Sequence, residues 1–369
     1  MKRIVFLLFF LPSLLVAAPL YSPSWGFWLD LPEGYAYVEG NNVDRYSFQG
    51  PNGAMFDIAV YPNGYEDTGA LVRDINRRLG NGGETAFFVY GDKNAALMEL
   101  RFKGFIGWGL CLELAGDGFR SPPLLLALAY SPAGMGEMDL FHLSALDSLA
   151  PSNAEKRIPG PIMAFSYPRG EQVTMPLAGT AATAQFREHD AEAAQVLIER
   201  EFALLRHYEF APNWQEAWIR YYRAIYRDSF DRVADAVVCL ARQWQGTALD
   251  DRAFAEKALA LVQGYLYERD LSGSDFVNLV SAVTDGRGDC DSRAMLWAMI
   301  LMQSNIPAGM MVSREYGHAM GIIDIPGAGA RFETEGVKWL VAETTKIISI
   351  GLIAQDMSNP EHWLGVFFD

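Results

Sequence analysis

The stretch DGRGDCDSRAMLWAMIL, Asp285 to Leu301, decides how the second half of the chain is read. It sets one cysteine, Cys290, between two aspartates, behind two glycines and ahead of an apolar run. That run continues to Asn305, where Ile306-Pro307 cannot extend a helix. The pattern predicts a single helix with Cys290 in its first turn. Unpaired amide N–H groups and the helix dipole at that end favour a thiolate. Asp289 and Asp291 oppose it, so an imidazolium nearby would have to outweigh them.

Downstream, AGMMVSREYGHAMGIIDI predicts a strand, a turn at Glu315-Tyr316-Gly317 and a second strand opening with His318. ARFETEGVKWLVAETT then predicts a hairpin around Glu335-Gly336 whose second strand ends near Glu343. A cysteine at a helix start, followed by antiparallel strands presenting histidine and an acid, is what thiol nucleophilic catalysis needs. The imidazole takes the thiol proton and the acid fixes its tautomer. Amides at the helix start are candidate oxyanion donors.

These blocks carry a family resemblance. GDCDSRAMLWAMILMQSNIPAGMMV, GHAMGIIDI and WLVAETT resemble, in order, the three motif blocks of the transglutaminase-like superfamily. The bacterial cysteine-peptidase branch, with Gly-Asp-Cys-acid and Glu-Thr-Thr, is the most similar. FAEKALALVQGYLYE resembles the helix that precedes the cysteine there. The resemblance covers roughly residues 250–350 and implies a papain-like α+β domain. It further implies Cys290 as nucleophile, His318 as base and Glu343 as orienting acid, with no cofactor and no metal. Much of the superfamily has Asp-Pro-Thr at the third block, and Glu-Thr-Thr departs from that. Gln263 is a candidate oxyanion donor, its alternative being a solvated helix-face residue. The implied reaction is hydrolysis of a peptide or isopeptide amide in an envelope protein or wall peptide. The alternatives are a non-catalytic binding or scaffold module of the same fold, and a protein cross-linking enzyme.

The rest of the chain bounds this expectation. Lys2 and Arg3, an apolar run and Val16-Ala17-Ala18 have the parts of a secretory signal peptide over residues 1–18, so the protein is expected to be exported, periplasmic or extracellular. No later stretch is long and apolar enough to span a bilayer. A net charge of −15 repels nucleic acid and anionic lipid. Three cysteines are too few for a disulfide scaffold. Cys111 and Cys239 either pair, leaving Cys290 over, or stand as separate buried thiols.

Residues 25–150 alternate apolar and polar in runs broken by Pro-Glu-Gly and Pro-Asn-Gly, and include helix-spaced TGALVRDINRRLG and MDLFHLSALDSLA. An antiparallel sheet with helices on one face is expected there. Its opening resembles photosystem-accessory (PsbP/Mog1-like) domains in pattern, which implies no activity. Residues 151–183 carry repeated Pro and Gly without a period and read as a linker. From Ala184 onward, four helices are predicted, the second opening on a capping box of Asn213 and Glu216 and the fourth, DDRAFAEKALALVQGYLYE, containing Gln263. Their Trp, Tyr and Phe residues either line a groove or fill a core. His142, His189, His207 and His362 lack partners at zinc spacing and read as structural or solvated. The fold class expected for the whole is α+β, with residues 184–369 as the second unit.

Overall fold

Alternation in MFDIAVY makes a strand with one face fully buried, and the long apolar run LLLALAYSP makes a strand buried on both faces over its first half. The protein was analysed as a computed structural model that describes residues 19–368 apart from 117–120, 136–137, 245–248, 270–272 and 335. The signal-peptide reading at 1–18 and the turn at Glu335 fall outside the described residues.

A short ribbon, β1 (Leu20–Tyr21) with β2 (Trp28–Leu29), precedes the first large sheet. That sheet contains β3 (Ala36–Gly40), β4 (Arg45–Gln49), β5 (Met55–Tyr61), β6 (Thr85–Tyr90), β7 (Lys93–Phe102), β8 (Phe105–Glu113) and β9 (Leu124–Pro132). All neighbours pair antiparallel, in the order β3-β4-β5-β9-β8-β7-β6. Helix α1 (Thr68–Leu79) covers one face with Leu71, Val72 and Ile75, and stops at Gly80, which takes the left-handed conformation. Helix α2 (Met138–Asp147) covers the other, so the helices are not confined to one face as expected, because both faces of this sheet are apolar and need cover.

The segment expected to be a linker is structured. Pro161 opens α3 (Pro161–Ser166), which packs on β6 through Phe165 and Phe88. β10 (Gln172–Pro176) and β11 (Thr183–Arg187) form a hairpin. The helix expected from Ala184 therefore begins later, as α4 (Asp190–Leu205). Ala184 and Phe186 alternate inward from the hairpin instead, and Asp190 accepts the Arg187 amide at 2.7 Å. α5 (Trp214–Arg232) lacks the expected capping box, since the Asn213 side chain caps nothing. α6 (Ala234–Trp244) and α7 (Asp251–Gln263) follow, the latter capped by Asp250 on the Ala253 amide.

The second unit is completed by β12 (Leu266–Tyr267), α8 (Leu279–Asp285), β13 (Arg287–Gly288), α9 (Cys290–Gln303), β14 (Ala308–Ser313), β15 (His318–Ile323), β16 (Arg331–Thr334), β17 (Val337–Ala342) and β18 (Leu364–Val366). An antiparallel sheet runs β16-β17-β15-β14-β18, and α9 packs across it. Both units are α+β, as expected. Among the described residues no helix is long and apolar enough to cross a membrane. The three cysteines are free, so Cys111 and Cys239 do not pair.

The two units meet through one buried arginine, Arg220, and two half-buried ones, Arg223 and Arg227, on one face of α5. Arg220 donates to the Asp30 carbonyl (2.8 Å), Glu201 Oε2 (2.9 Å) and Ser144 Oγ (2.7 Å). Arg223 reaches Asp30 Oδ1 at 2.8 Å, and Arg227 donates to the carbonyls of Asp147 and Leu149. Nearby, Glu33 is buried with Oε1 unpartnered, and burial pushes its carboxyl up to about 7 against the pull of Arg220. The unfolded chain ionises near the ordinary 4.5. Stability contributed by this group is thus complete below 4.5 and lost as the pH rises through 7.

Two outcomes are expected. Glu33→Gln gains about 2–3 kcal/mol at pH 8 relative to its effect at pH 4, read from urea midpoints at the two pH values. Gly321→Ala costs about 1–3 kcal/mol in the same assay, because its Cβ would lie 2.3 Å from Trp297 Cε3, and Trp297→Leu in that background recovers part of the loss.

Candidate active site

Helix α8 ends at Gly286, whose φ of 68° turns the chain into β13. β13 pairs parallel with β12, placing Tyr267 opposite Gly288. Asp289 then caps α9, accepting the Ser292 amide at 2.9 Å, and Cys290 follows as the first helical residue. Buried Arg293 locks this corner. It donates to the Gly288 carbonyl at 3.0 Å and the Tyr265 carbonyl at 2.6 Å, and its guanidinium lies 5.4 Å from the centre of the Tyr267 ring.

The sheet supplies the other groups. β14 and β15 pair so that Ser313 faces His318 across the turn, and β17 lies on the far side of β15. His318 Nε2 meets Glu343 Oε2 at 2.9 Å. Glu343 Oε1 accepts both the amide and the hydroxyl of Thr345, at 2.7 and 2.6 Å. Burial alone would raise the Glu343 carboxyl, but the hydrogen bonds from His318 and Thr345 hold it below its ordinary value. An ionised carboxylate only accepts, so Nε2 carries the proton and Nδ1 is left as the basic nitrogen. The Trp363 ring stands 6.4 Å from the imidazole, centre to centre, and Tyr316 and His362 pack beside it.

Cys290 is 6 % exposed. Its Sγ donates to Asp291 Oδ1 at 3.5 Å, and Asp291 Oδ2 accepts the Tyr222 hydroxyl at 2.8 Å. Burial, then the charges of Asp291 and Asp289, push the thiol well above its ordinary value, while the Ala319 backbone N–H pulls it down. Burial also raises both aspartates. Tyr267 faces the thiol, and burial together with the thiol's charge pushes its hydroxyl up to about 12. Among the described residues no hydrogen bond joins Cys290 Sγ to His318. Asp289, Cys290 and Asp291 cluster within 4.8 Å, where Ser292 engages Asp289 Oδ1 and Tyr222 engages Asp291 Oδ2.

The structure thus joins His318 to Glu343 and sets Cys290 beneath the first residues of the same strand. Gln263 lies elsewhere: its carboxamide donates to the main-chain carbonyls of Glu343 (2.8 Å) and Ile348 (2.9 Å). Both amide protons are spent behind the acid, which replaces the expected oxyanion role with a bracing one. Tyr267, Tyr222, Trp363 and the Ala319 amide were not anticipated. The three side chains come from other segments, with nothing local in the sequence to point to them, while the amide belongs to the residue that follows His318.

No protein-family model matches the chain, and no curated protein matches it in sequence. Among solved structures, one from Bacteroides thetaiotaomicron covers 56% of this chain and 76% of its own, at 10% identity and a TM-score of 0.25. The solution structure of cyanobacterial PsbP (CyanoP) from Synechocystis covers 36% of this chain and 91% of its own, at 9% identity and a TM-score of 0.26. Likenesses this low carry no functional argument.

Gln263→Ala is expected to destabilise the protein by about 1–3 kcal/mol, since it leaves the buried Glu343 carbonyl without a donor. An unchanged denaturation midpoint would contradict the bracing role.

Proposed function

We propose that the chain is an exported, cysteine-dependent acyl-transfer enzyme of transglutaminase-like kind. Its reaction is hydrolysis of a peptide or isopeptide amide in an envelope protein or wall peptide. The observation that carries this reading is the 2.9 Å His318–Glu343 pair at the mouth of a strand, beside a helix that opens on Cys290. The three sequence blocks support the same reading.

In this mechanism His318 Nδ1 takes the thiol proton, and the imidazolium is stabilised by Glu343. The thiolate attacks the amide carbonyl carbon, and the oxyanion is met by the Tyr267 hydroxyl and the free amides of the helix start. His318 returns the proton to the leaving amine, the C–N bond breaks and a thioester remains. Water, deprotonated by the same imidazole, adds to the thioester, and the thiol leaves with the carboxylic acid formed. An amine in place of water would give cross-linking.

One observation favours a second reading, a non-catalytic module. The resting thiol donates to Asp291 and is held neutral by burial first and by the two neighbouring aspartates second. Enzymatic action requires the imidazolium to outweigh them.

Alkylation by iodoacetamide as a function of pH separates the two readings. With an active pair, Cys290 labels with an inflection below about 8.5, which moves upward in His318→Ala and downward in Asp291→Asn. Labelling only above that value, unchanged by His318→Ala, would falsify the enzyme reading.

A further inference from the structure

Two exposed arginines in a strongly acidic chain frame an aromatic pocket of about 320 Å³, at the lower end of the range for small-ligand sites. Trp214 and Trp218 form its corner, with ring centres 5.6 Å apart and planes at 82°. Phe202 lines a further wall. Arg314 lies over the Trp214 ring at 5.5 Å and donates one N–H to the Glu209 carbonyl at 3.0 Å, leaving the rest of its fork available. Arg206 is exposed at the rim and makes no ion pair among the described residues.

The pocket's place in the fold ties it to the candidate active site. Trp214, Trp218 and Tyr222 follow one another at four-residue intervals along one face of α5. Tyr222 holds Asp291, the neighbour of Cys290, and Trp214 sits about 12 Å back along the helix. Arg314 occupies the β14–β15 turn, four residues before His318.

We propose that this pocket is a substrate subsite for an aromatic residue bearing a free carboxylate, the C-terminus of a peptide substrate. The perpendicular indoles offer a face and an edge to a planar ring. The guanidiniums offer forked donors to the carboxylate. A saccharide would need hydroxyl partners, and apart from Glu209 the lining supplies little besides aromatic, aliphatic and arginine side chains.

The assignment of a scissile bond rests on the enzyme reading, but binding does not, so it is measured on the full chain carrying Cys290→Ala. Calorimetry with acetylated alanyl-alanyl-phenylalanine is expected to show binding at least ten-fold tighter than for its C-terminal amide. Arg314→Gln or Arg206→Gln, both at exposed positions, should abolish that preference, and Trp218→Leu should weaken both peptides. Equal binding of acid and amide, or a preference untouched by both arginine substitutions, overturns the proposal. So does binding of N-acetylmuramic acid in place of the peptide. The alkylation profile of Cys290 is a separate measurement, so loss of the subsite and loss of the nucleophile are told apart.

Discussion

The depth at which α9 lies on the sheet depends on a missing side chain. Trp297 fills the space where a Cβ of Gly321 would stand, and its indole N–H reaches across to the Ala255 carbonyl on α7 at 3.1 Å. One ring thus sets the spacing of three elements. Because α9 begins at Cys290 and β15 begins at His318, the same contact decides how far the sulfur lies from the imidazole's strand. The Ala319 amide comes within reach of the thiol only at that depth.

Helix α5 joins this site to the rest of the molecule. One face carries Arg220, Arg223 and Arg227 into the first unit, where they satisfy carbonyls and carboxylates that burial would otherwise leave stranded. Another carries Tyr222 to Asp291. Removing one member of such a buried network leaves its partner charged and dry, which costs far more than the pair itself contributes. The docking of the two units and the setting of the thiol's neighbour are therefore properties of one rigid rod.

Much of this was legible in the sequence because it is local. Alternation in Met55–Tyr61, the stop of α1 at Gly80, the Asp250 cap and the break before Pro307 all act within a few residues. Cys290, His318 and Glu343 could be nominated from spacing and from a family likeness. Their mutual geometry could not, because it depends on sheet register and on the depth of α9. The misreadings share a cause: tertiary contacts overrode local pattern. Ala184 and Phe186 pair with the preceding strand rather than begin a helix, and Asn213 does not cap where its spacing suggested. Gln263 looked like a donor to a reacting oxygen, but the backbone of the acid's own loop takes both of its protons.

Burial, and after it the two aspartates beside Cys290, hold its sulfur neutral, and that has a chemical corollary beyond reactivity toward amides. The thiolate, not the thiol, is the nucleophile that attacks peroxide and stray disulfides. A sulfur kept protonated at rest is spared sulfenic acid and mixed-disulfide formation in an oxidising medium. The carboxylates that slow the nucleophile also keep it in its reduced form.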